Sequence, residues 1–218
     1  MGTRSLINRA KVSEFQKGIF DNVIITNVDI QDRTGQNGPI NKMIYIKFAQ
    51  LNDAGKKVCE SELAWWKPDV TSEYFKSNIQ EICLQLHNVV ESYIGEEDAF
   101  TAFSNVFEFL NIEDQSELET RKWKQSELNV IITNLKTSFK EAITPFINDT
   151  LHPIRLKLST NFKGEDIEIP KFGKFTEPMS MTETALKFSA NELKTHSKIG
   201  NVEGKASVAS SSNTNATI

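Results

Sequence analysis

Rings and cations keep company in three places along this chain, and a fourth pairs two cations. Trp65-Trp66-Lys67 follow one another, Tyr45 lies two residues from Lys47, Arg155 lies two residues from Lys157, and Lys171-Phe172-Gly173-Lys174-Phe175 alternates the two types. Such pairs suit single-stranded nucleic acid. A flat ring stacks on any base, and Lys or Arg meets the phosphates between bases. Each pair also has a plain packing explanation. Tyr45 and Lys47 could be ordinary solvated strand surface. One Trp could rest on a neighbouring helix, and Phe172 and Phe175 could close the end of a barrel. Their grouping on strand-like segments favours the joint reading.

Other chemistry finds little support. The three histidines, His87, His152 and His196, stand at no metal or triad spacing to Cys, Asp or Glu. There is no Gly-rich Lys-Ser/Thr phosphate loop and no Gly-Xaa-Ser-Xaa-Gly elbow. Glu96-Glu97-Asp98 is explained by the start of a helix, where the dipole favours acids. The expectation is a non-enzyme with no catalytic residue, metal site or cofactor.

The elements that would carry the rings and cations are strands. Asn22–Ile30, Lys42–Leu51 and Val58–Trp66 read as a meander with polar, Gly-bearing connectors. On the middle strand Ile44, Ile46 and Phe48 share one face, and Met43, Tyr45, Lys47 and Ala49 share the other. The first face should be core and the second open. From Pro68 the period changes. Phe75 to Tyr93, Glu96 to Leu110 and Ser126 to Ile143 repeat apolar residues at helical spacing, stopped by Gly95 and Pro145. Within the second of these, Phe100, Phe103, Phe107 and Leu110 should form one buried or subunit-contacting stripe. Residues 111–124 should form a loop with a short helix. Strands resume at Ile154–Ser159 and Asp166–Pro170, and a weak helix is expected over Thr182–His196.

The fold class expected is therefore α+β: a five-stranded OB-like β-barrel interrupted by a helical insertion at about 69–151. Residues 1–14 read as a flexible basic arm, 15–199 as the barrel domain with its insertion, and 200–218 as a disordered tail.

The chain has 218 residues and a net charge of −4, which by itself disfavours nucleic acid. The distribution matters more. Asp69 to Leu151 holds 15 acidic and 6 basic residues, a net of −9, leaving 19 basic and 14 acidic elsewhere, a net of +5. Cys59 and Cys83 read as reduced, buried thiols. No apolar run approaches membrane-helix length, so a soluble, cytoplasmic protein with no membrane partner is expected.

The segments Phe15-Gln16-Lys17-Gly18-Ile19-Phe20, Val23–Ile30, Thr34-Gly35 and Tyr45-Ile46-Lys47-Phe48 resemble those of bacteriophage single-stranded DNA-binding proteins. Ile154–Phe175 is similar to their closing hairpin. The resemblance implies an OB-fold, cooperative coating of single-stranded DNA in the host cytoplasm, and a part in phage replication or recombination beside replication proteins. The binding residues expected are Tyr45, Lys47, Trp65, Trp66, Lys67, Arg155, Lys157, Lys171, Phe172 and Lys174. A homo-oligomer stays open. So does a rival reading, a phage structural or assembly protein that uses the helical insertion as its interface.

Overall fold

A computed structural model describes residues 12–110, 124–160, 166–170, 173–190, 192 and 193. The elements run β1 (Gly18–Asp29), β2 (Thr34–Gly35), β3 (Gly38–Pro39), β4 (Lys42–Leu51) and β5 (Lys57–Trp66), then the helices α1 (Phe75–Ile94), α2 (Glu96–Ala102), α3 (Ser104–Leu110) and α4 (Gln125–Ile143). Strands β6 (Ile154–Thr160), β7 (Ile167–Glu168) and β8 (Thr176–Pro178) follow. The main sheet is antiparallel, in the order β5-β4-β1-β6-β7, with β8 also on β6. β7 and β8 occupy successive stretches of the β6 edge, so together they act as one broken fifth strand. The result is a nearly closed five-stranded barrel with a helical insertion between its third and fourth strands, consistent with an OB-fold.

Sequence pattern accounts for most boundaries. The end of α1 falls at Gly95, whose φ of 86° favours glycine and whose N–H bonds to the Glu91 carbonyl at 2.9 Å. At the start of α4 the Glu127 carboxylate accepts the Lys124 N–H at 2.9 Å. Pro145 then turns the chain into a short 3-10 turn, Thr144–Phe146.

Several expectations are corrected. The helix expected over Glu96–Leu110 is two helices broken at Phe103. Its Phe stripe divides: Phe103 is fully buried, while Phe100 is exposed and stacks on Phe107 with centroids 4.8 Å apart. Of the helix expected over Thr182–His196, residues 182–189 are not helical, whereas 190, 192 and 193 are. Strand β8 was not anticipated. The connector 161–165, the stretch 111–123, the arm to residue 11 and the tail 200–218 lie outside the described residues.

The helices are not a lobe apart. One core joins Val23, Ile25, Ile46 and Phe48 of the barrel to Ile79, Leu86, Leu135 and Phe139 of the insertion. Its key polar joint is buried. Asn88 of α1 bonds the backbone of Phe175 and Thr176 where the fifth strand begins again.

Candidate nucleic-acid interface

The barrel does not close between β5 and the fifth strand. A groove of about 1530 Å³ runs along this seam, bounded by β5, by Thr160 and residues 166–169, and by one face of α1. It collects part of the expected set: Lys47, Trp65, Trp66 and Lys67 line it, joined by Lys17 and Lys42.

Within this set the two tryptophans separate. Trp65 pairs across the sheet with Ile44, is 3% exposed, and donates its Nε1–H to Gln85 of α1 at 2.9 Å. It is a wall of the core. A bulge at Met43 then sets Lys42 opposite Trp66. Trp66 is 64% exposed, with the Lys42 ammonium 5.1 Å from its ring centroid. Lys47 bonds Glu60 at 2.5 Å, and Lys57 bonds the same carboxylate at 2.8 Å. These two bonds hold the Glu60 carboxyl below its ordinary range. Lys67 lies 3.7 Å from Asp32.

The remaining expected residues are elsewhere. Tyr45 does not sit on an open face: it is 4% exposed, and the Arg33 guanidinium covers its ring at 3.6 Å. Arg33 is held there by Asp29 at 2.8 Å and Glu62 at 2.6 Å, and these bonds keep its pKa above the ordinary value despite burial. The alternation expected on β4 is present, but a loop cation roofs the second face, so β4 is buried on both sides.

Arg155 and Lys157 do share a face of β6, as their spacing requires, yet neither is open. A bulge in β1 at Asp21-Asn22, where Asn22 takes a φ of 55°, turns Asp21 towards Arg155. Arg155 bonds Asp21 and Glu177, each at 2.8 Å. Burial alone would raise the Glu177 carboxyl, but the Arg155 bond and the Ala185 N–H at 2.9 Å outweigh it and hold it low. Lys157 is almost fully buried and donates to the Lys187 carbonyl at 2.9 Å, beneath the segment that follows β8. Lys174 bonds Glu91 of α1. Lys171 and Phe172 lie outside the described residues.

Compared with family models, with curated proteins and with solved structures, the chain matches none. Function must therefore be argued from the seam itself.

Its charge is not what the distribution along the chain implied. Four lysines line the groove, Lys17, Lys42, Lys47 and Lys67. Against them stand seven carboxylates, from Glu14 through Glu60, Glu62 and Asp69 to Glu81 of α1 and Asp166 and Glu168 beside β7. Five of the seven, Glu14, Glu60, Glu62, Asp166 and Glu168, belong to the part of the chain with net positive charge, and folding adds Asp69 and Glu81 from the acidic segment to the same groove. Lys42, whose ammonium faces the exposed ring, was missed; its place one residue before Met43 gave no signal without the bulge.

Proposed function

We propose that the chain is a non-catalytic single-stranded DNA-binding protein, acting in phage replication or recombination, with Trp66 as its stacking platform. The observation that supports this is the rim of the groove: an exposed indole with Lys42 beside its face and Lys67 next in the chain. Stacking a base on such a ring contributes about 1–3 kcal/mol. Lys47 and Lys67 are engaged by carboxylates, but exposed ion pairs are worth only about 0–1 kcal/mol, so phosphate can compete for both. The strand would follow the rim and leave the acidic interior empty. The test is titration with oligo-dT, read by tryptophan fluorescence at two salt concentrations. Quenching that weakens steeply with salt supports the reading, and no binding at low salt rejects it.

The rival, an assembly protein, has its own observation. Leu84, Phe100 and Phe107 form an apolar patch on α1, α2 and α3, with Leu84 and Phe100 each 53% exposed. Size-exclusion chromatography with and without oligonucleotide separates the two. A large assembly that forms without DNA and is lost in Phe100→Ser favours this second function.

A further inference from the structure

The seam is bordered by strand edges that lack partners among the described residues. β7 pairs with β6 alone. β5 pairs with β4, and on its other side, among the described residues, Ser13 reaches its backbone and the Phe15 N–H donates to the Ser61 hydroxyl at 3.0 Å. There the Ser13 N–H donates to the Val58 carbonyl at 3.3 Å and the Glu60 N–H donates to the Ser13 carbonyl at 2.8 Å. The β4–β5 register is regular from Cys59 to Trp65. Backbone groups alternate sides along a strand, so the N–H and C=O of Glu62 and Ala64 point the same way as those of Glu60, into the groove. No hydrogen bond from the described residues meets them.

An edge of this kind is a template for another strand. Lys47, Lys57 and Arg33 already hold Glu60 and Glu62, but Glu14, Asp69, Glu81 and Glu168 of the groove have no ion-pair partner among the described residues, and these acids decide what sort of strand. They repel phosphate and favour a basic chain, and only a polypeptide carries the alternating N–H and C=O groups that match the edge. We infer that the seam is a strand-addition site for an extended, basic segment of a partner protein, which pairs with β5 at Glu62–Ala64 and completes the barrel towards β7. This site adjoins the Trp66 rim on the same groove, but it does not rest on that rim binding DNA.

The probe is a fluorescein-labelled short peptide alternating Lys and Val, followed by anisotropy with the full chain. Binding is expected. A Glu–Val peptide, or a Lys–Val peptide N-methylated on alternate amides, should bind about tenfold or more weaker, the loss of one or two hydrogen bonds or of the charge match. Ala64→Pro removes an outward N–H while sparing the β4 ladder, and should weaken the Lys–Val peptide similarly. Should that variant fail to fold, Glu81→Lys with Glu168→Lys reverses two exposed groove charges and should do the same. Absence of binding, equal binding of the N-methylated peptide, or full affinity in the folded variants overturns the proposal. So does oligo-dT binding that Ala64→Pro abolishes, which gives the seam to nucleic acid. Deleting residues 1–11 should leave peptide affinity unchanged. A tenfold gain names that segment as the occupant and overturns the assignment to a partner.

Discussion

Asn88 of α1 grips Thr176 of β8 by both backbone and side chain. Its Oδ1 accepts the Thr176 N–H at 3.0 Å and its Nδ2 donates to the Thr176 carbonyl at 3.1 Å. The Thr176 hydroxyl donates to the Asn88 carbonyl at 3.0 Å, and Oδ1 also accepts the Phe175 N–H at 2.8 Å. All these groups are buried. One amide thus does for β8 what a neighbouring strand would do, and it fixes the insertion to the barrel. Asn88→Ala leaves two N–H groups and a carbonyl without partners. We expect a loss of about 3 kcal/mol, read as a lower urea midpoint at unchanged slope. A loss under about 1 kcal/mol would mean that the joint is not a main tie.

The two adjacent tryptophans should behave oppositely. Trp65→Ala opens a core cavity, orphans Gln85 and should cost about 3–5 kcal/mol. Trp66→Ala should leave thermal stability nearly unchanged and weaken oligo-dT about tenfold or more, the loss of one stacked base. Paired melting curves and titrations check both halves.

His87 should make stability depend on pH. Its ring lies between Phe103 and Phe107, and its buried Nε2 has no hydrogen-bond partner among the described residues. Burial lowers its pKa below 6.5; Glu91 and Glu96 pull it up, and Lys174 pushes it down, without reversing the shift. Below pH 6.5 the unfolded chain therefore binds a proton that the folded one refuses. Stability should fall as pH drops from about 6.5 towards the folded pKa and should be insensitive to this group above it. His87→Phe should flatten the profile in that window. Urea midpoints from pH 7 to 5 measure it.

The two thiols should react at different rates. Burial pushes Cys83 up to about 12, so it holds almost no thiolate at neutral pH. Cys59 is partly exposed, with Sγ 3.2 Å from the Ser13 hydroxyl. A disulfide-exchange reagent should label Cys59 in the folded protein and Cys83 only after denaturation, as peptide mapping would show.

What local pattern specifies was already present in the chain order of residues. Alternation on β4, the helical repeats that end at Gly95 and Pro145, and the position of the helical insertion between third and fourth strands all follow from near-neighbour sterics and periodic burial. Such rules also require Trp65 and Trp66 to face opposite ways and Arg155 and Lys157 to share a face. They cannot say which face is covered. That depended on groups distant in sequence: Arg33 over Tyr45, Asp21 and Glu177 on Arg155, Lys187 over Lys157, Gln85 on Trp65. Charge shows the same division. Composition fixes how many acids and bases the chain carries, but local potential depends on distances, and only the tertiary structure brought Glu81 of α1, Glu60 and Glu62 of β5 and Glu168 of β7 to one groove.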